Sequence, residues 1–175
     1  KQFLIGPSLL EQSQQVEAPL VFAGYGLDRP DLGLKDYDRL KVKGKIVVVL
    51  SGYPKGMNTE LGAHLNADKA AMAMKRGAVG VLTIPTLQDI KRSSWERRIE
   101  GAGSAAVSWL KADGTPFSRA PGIQVSATLN PTAAGALFGG TPKTLAALLA
   151  EADKPGVKPR GFALKHSAAV TRTST

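Results

Sequence analysis

The chain contains no cysteine among its 175 residues. That excludes disulfide staples and thiolate metal sites, and leaves both oxidising and reducing surroundings open. Histidine is nearly absent too: His64 and His166 stand far apart, short of the three or four ligands a zinc site needs. Aromatic residues make up only 6% of the chain. No apolar run approaches the roughly 18 to 20 residues that span a bilayer. Neither an initiating Met nor a signal-peptide pattern stands at Lys1, so the sequence is expected to be a mature or excised piece of a longer protein.

Acidic charge is in short supply, with 14 Asp and Glu against 23 Lys and Arg, a net charge of +9. The cations are scattered over Lys41/Lys43/Lys45, Lys91/Arg92, Arg97/Arg98 and Lys154/Lys158/Arg160. Nucleic-acid binders concentrate charge on one surface and interleave stacking aromatics. Solvated surface is therefore the preferred reading, and no nucleic acid is expected as partner. A basic polyanion or nucleic-acid binding module is the alternative function.

What is present is an alternation of strand and helix signals. "KQFLIGPSLLEQSQQV" (1–16) has no clear period and reads as a lead-in segment that packs on something else. "APLVFAGYGL" (18–27) is a short strand ending in Gly24 and Gly26, and 28–44 is a polar loop with an Asp36-Tyr37-Asp38 turn. "KIVVVL" (45–50) is a β-branched run suited to a strand buried on both faces. After a loop, "NADKAAMAMKRG" (66–77) predicts a helix capped by Asn66 and stopped by Gly77, with its apolar stripe on Ala67, Ala70/Ala71 and Met74. "AVGVLTI" (78–84) is a second buried strand, parallel to the first through a right-handed crossover.

Residues 86–104 predict a polar excursion or long loop, and "AAVSWL" and "GIQVSATL" read as strands joined by a hairpin or wide turn. Asn130 and Pro131 start a short helix that ends at Gly139. Thr141 and Pro142 start another with a Leu145/Leu148/Leu149/Ala152 stripe. A final alternation places Phe162, Leu164, His166, Ala168 and Val170 on one face of a half-buried, antiparallel strand.

The chemical motifs fail one by one. "SGYPKGMN" after the strand has two glycines and Lys55, but no hydroxyl follows to hold magnesium, as a phosphate loop requires. "GYGLDR" has Arg29 where a dinucleotide fingerprint needs its third glycine. Ser51 ends a strand where nucleophiles sit, yet "LSGYP" is not a nucleophile elbow. His64 and Asp68 share a helix face only if that helix begins early. The pairs Asp36/Asp38 and Glu96/Glu100 lie in polar loops and read as turn or surface residues. Residue chemistry alone describes a binding or accessory module.

Three segments together resemble a known family. "PLVFAGYGL…KDYDRLKVKGKIVVVLSGYP", "KAAMAMKRGAVGVLTIP" and "PGIQVSATLNPTAAGALFGG" are similar, in order and spacing, to the protease-associated (PA) domain carried by bacterial di-zinc aminopeptidases. The resemblance covers residues 17–172, with 173–175 as a tail leading to a catalytic domain absent here. It implies an α+β, swivelling β/β/α fold with mixed sheets and two to four short helices. It also implies a non-catalytic part in a secreted or periplasmic zinc metallopeptidase, mediating substrate access or contact with peptide and protein partners, the catalytic domain among them. Zinc would belong to that absent domain, so this chain is expected to hold no cofactor, metal ligand or catalytic residue. Loops 51–65 and 86–104 would line the access route. Tyr53, Trp95, Arg97 and Arg98 are the candidate contact residues, since Trp, Tyr and Arg dominate contact energetics.

Overall fold

The computed structural model describes residues 1–102 and 107–174. Its strands are β1 (Phe3–Ile5), β2 (Ser13–Phe22), β3 (Asp28–Arg29), β4 (Leu34–Lys35), β5 (Ile46–Leu50), β6 (Gly80–Ile84), β7 (Val125–Leu129) and β8 (Phe162–Thr173). Its helices are α1 (Thr59–Ala67), α2 (Lys69–Lys75), α3 (Leu87–Arg92), α4 (Trp95–Gly101), α5 (Pro131–Ala134) and α6 (Leu145–Ala152). One mixed sheet runs in the order β1-β7-β6-β5-β2-β8, and β3 pairs with β4 alone. The strands β2, β5, β6 and β7 are parallel neighbours, while β1 and β8 close the two edges antiparallel. This is an α+β fold of the PA-domain type.

The β-branched run of β5 behaves as its composition demands, with all five residues buried between β2 and β6. Around it lie Leu20, Phe22, Leu27, Ile84 and Leu148, all fully buried. Phe22 meets Phe138 edge-on at 5.4 Å and Phe162 at 5.4 Å, locking the 3₁₀ turn Gly135–Phe138 and the start of β8 onto β2. At its far end the long β2–β8 ladder curls back across the sheet. There Arg172 donates to the carbonyls of Gly6 and Gln124, both at 3.1 Å, on the opposite side.

Several local expectations are corrected. Residues 1–16 pack on this fold itself, supplying β1 and the first residues of β2. The strand expected over 18–27 is β2, which starts and ends five residues earlier, and Gly24 and Gly26 form the turn that follows. The helix expected over 66–77 is two helices. Asn58, not Asn66, caps the first by accepting from the Leu61 amide at 3.0 Å, and the chain breaks direction at Asp68. The buried face is accordingly Leu65, Lys69, Met72 and Ala73 rather than the Ala67/Ala70/Ala71/Met74 stripe.

The excursion after Pro85 is helical as far as it is described, because Thr86 and Ser94 each cap a short helix. In "AAVSWL", Ala105 and Ala106 lie outside the described residues, and Val107–Leu110 joins no sheet, forming only an isolated bridge from Leu110 to Pro116. Thr144 rather than Thr141 caps α6; the Thr141 hydroxyl is spent on the carbonyls of Phe138 and Lys143, both at 2.8 Å. His166 is exposed, because a bulge between Ala163 and Ser167 turns it out of the apolar face.

Candidate functional site

Parallel strands aim their C-terminal ends at one rim, which is where open sheets place ligands. Here the rim between β5 and β6 forms a cleft of about 230 Å³, lined by Tyr25, Ser51, Tyr53, Lys55, Asp89, Arg92 and Asp153 among others. The "SGYP" turn supplies one wall. Ser51 donates its amide to the Ile84 carbonyl at 2.9 Å, and Gly52, at φ +71°, donates its amide to Asn66 Oδ1 at 2.9 Å. Asn66 thus secures the loop instead of starting a helix.

The opposite wall is the first turn of α3. Asp89 Oδ2 accepts from the Thr86 hydroxyl at 2.6 Å, from the Thr86 amide at 3.2 Å and from the Ser51 hydroxyl. Burial pushes the Asp89 carboxyl up, but the hydrogen bonds from Ser51 and Thr86 outweigh it and hold it below the usual carboxylate range. Ser51 is therefore a donor tying the end of β5 to α3, with its proton committed to the Asp89 carboxylate.

Beneath the cleft lies Lys69, the one buried charged residue among those described, only 6% exposed. Its ammonium donates to the carbonyls of Leu50, at 2.7 Å, and Gly52, and sits 5.6 Å from the centre of the Tyr25 ring. Desolvation lowers its pKa to about 7, against the pull of Asp36 and Asp89. Asp36 is shifted in the opposite sense: burial raises it to about 6, although it accepts from the Leu27 amide at 3.0 Å. Tyr25 is pushed up to about 12 by burial and by Asp89, Asp153 and Asp36, and donates its hydroxyl to the Ala152 carbonyl at 3.1 Å. Of these three, Tyr25 lines the cleft itself, while Lys69 and Asp36 lie behind it and border neighbouring grooves. This arrangement fixes shape; it offers no free nucleophile.

The four candidate contact residues do not converge. Tyr53 lies in the cleft, half-buried, its ring pressed on Gly62 of α1 so closely that a methyl there would overlap ring carbons. Trp95 is half-buried and donates its indole N–H to the Lys1 carbonyl at 2.7 Å. Arg98 reaches back to the carbonyls of Ser93 and Asp89, both at 3.2 Å, and borders a separate groove between α1, α2 and α4. Arg97 is exposed on α4. His64 does share a face with Asp68, 3.4 Å away, because α1 begins early. Among the described residues no group of three or more His, Cys, Asp or Glu could hold a metal ion, and no helix is long and apolar enough to cross a membrane.

Sequence reasoning missed Lys69, Thr86 and Asp89. Two signals were present: a Thr-x-x-Asp box directly after a buried strand, and a lysine spaced i, i+3, i+4 with Met72 and Ala73.

Comparison with known proteins adds one positive finding. No curated protein matches the chain. The sequence profile of the PA domain matches residues 16–127. That span is more than half of the chain and holds most of β2, the β5–β6 crossover and most of the cleft lining. Such domains usually accompany proteases and are typically non-catalytic. The chain belongs to the PA domain family.

Proposed function

We propose that this chain is the non-catalytic access and docking module of a secreted or periplasmic zinc aminopeptidase. In this reading the zinc and its His, Asp and Glu ligands belong to a catalytic domain outside this sequence. The PA profile over residues 16–127 carries the reading. The rim cleft supports it: Tyr53 and Arg92 present an aromatic face and a cation beside Lys55, which is paired with Asp153, and Ser51, Thr86 and Asp89 tie the walls together. Such a surface suits the backbone carbonyls and carboxylates of an extended peptide better than chemistry of its own.

Two measurements test it. The chain incubated with zinc and an aminoacyl p-nitroanilide should release no nitroaniline. Titration with short peptides should move backbone NMR resonances of residues 51–57 and 86–92 before any others. Hydrolysis, or peptide-induced shifts confined to other surfaces, would overturn the reading.

A further inference from the structure

Residues 107–118 form an arm that neither the sheet nor the cleft uses. The Phe117 amide donates to the Trp109 carbonyl at 2.9 Å, the Lys111 amide to Thr115 at 2.8 Å, and the Ser108 hydroxyl to Phe117 at 2.8 Å, closing a small hairpin. Opposed residues of a hairpin point to one face and the next pair to the other. Trp109 and Phe117 stack on one face, ring centres 4.9 Å apart, and Leu110 faces Pro116 across the other. The hairpin is held at its base, where Arg119 binds Asp68 at 2.7 Å and the Gly122 amide meets Met74 Sδ at 3.2 Å. Yet Val107 is 90% exposed, Trp109 66% and Leu110 65%. Three large apolar side chains are thus displayed on the two faces of this arm, and clusters of exposed apolar groups mark interaction sites.

We propose that this hairpin docks into an apolar slot bordered by acidic side chains on another protein segment. Because both faces of the stem are apolar, a flat surface would leave one of them wet; a slot covers both. A bilayer is the poorer host, since the tip Lys111-Ala112-Asp113-Gly114-Thr115 would carry two charges into hydrocarbon ahead of the apolar stem. A polynucleotide gains little, because Trp109 and Phe117 spend a face on each other and the aliphatic Val107 and Leu110 offer no stacking plane. A second copy is opposed by charge, each chain carrying +9, and the same field draws in an acidic partner. The inference shares with the proposed function only the premise of a partner, and places it on a different surface from the cleft.

The test pans a random dodecapeptide library against the intact chain. Selected peptides should carry Asp or Glu around an apolar core. They should bind Trp109→Ala about tenfold or more weaker and lose affinity as salt rises from about 50 to about 300 mM, with Tyr53→Ala unaffected. Trp109 is exposed, so its variant should keep the wild-type urea midpoint. Neutral or basic peptides, peptides indifferent to Trp109, or an empty selection would overturn the proposal. So would Trp109-dependent sedimentation with phosphatidylglycerol vesicles, or Trp109-dependent dimerisation. Peptides that need Tyr53 but not Trp109 would overturn it while leaving the cleft reading standing.

Discussion

Replacing Lys69 with Met isolates the energetics of the buried cation, because Met conserves most of the volume and removes the charge. In the wild type, the displacement from the ordinary lysine value of 10.5 to about 7 disfavours the ammonium. Taken in full, that is roughly 5 kcal/mol. The sign follows from proton counting. Between pH 7 and about 10 the unfolded chain binds a proton at Lys69 that the folded chain does not, so stability contributed by this residue rises with pH across that window. Below pH 7 both states are protonated and the whole burial penalty is present. The neutral amine still donates to Leu50 and Gly52, whereas Met leaves both carbonyls without that donor, at a cost of about 1–3 kcal/mol each. The two variants should therefore be of similar stability at pH 7, and the wild type should pull ahead by about 2–4 kcal/mol at pH 10. The swing falls short of its ceiling because the folded group is already half neutral at pH 7 and the unfolded one is still mostly protonated at pH 10. Urea unfolding followed by tryptophan fluorescence at one-unit pH intervals reads this difference, and groups remote from Lys69 cancel between the two proteins. A wild-type minus Lys69→Met difference that stays flat from pH 7 to 10 would refute the reasoning.

Asp36, raised to about 6 from 3.8, acts with the opposite sign: the folded state holds the extra proton, so wild-type stability should fall between about pH 4 and 6, and Asp36→Asn should abolish that fall. Gly62→Ala should cost about 1–3 kcal/mol and shift the Tyr53 ring resonances, since the added methyl meets the ring. Asp89→Asn weakens the cap of α3 and the tie to Ser51, and should lower stability by about 1 kcal/mol in thermal unfolding. Phe138→Ala removes the ring shared by Phe22 and Phe162 and should cost about 3–5 kcal/mol by urea titration.

The parallel centre of the fold was legible because burial on both faces leaves a compositional trace: IVVVL at β5 and GVLTI at β6 admit few other readings. The short helices were not, because their caps are decided by contest. Asn58 and Asn66 are equally good cap residues in isolation, and the loop amide of Gly52 claims the second. Likewise Thr144 beats Thr141, whose hydroxyl is taken by two carbonyls. The apolar run Val107–Leu110 looked like a strand because period and composition report affinity for an apolar surrounding, without saying whether this chain supplies it. Of the site, Tyr53 on its Gly/Pro turn was visible. Lys69 was hidden because a buried lysine inverts the rule that charge marks the solvent face.

The long ladder sets Ser13 opposite Thr173, and the Ser174 amide reaches the Gln12 carbonyl at 2.7 Å. Both strands leave the sheet at a single corner, side by side. Opening the backbone at the Asp113-Gly114 tip should therefore leave two fragments that stay associated, since β8 remains laddered to β2, and β7 to β1 and β6.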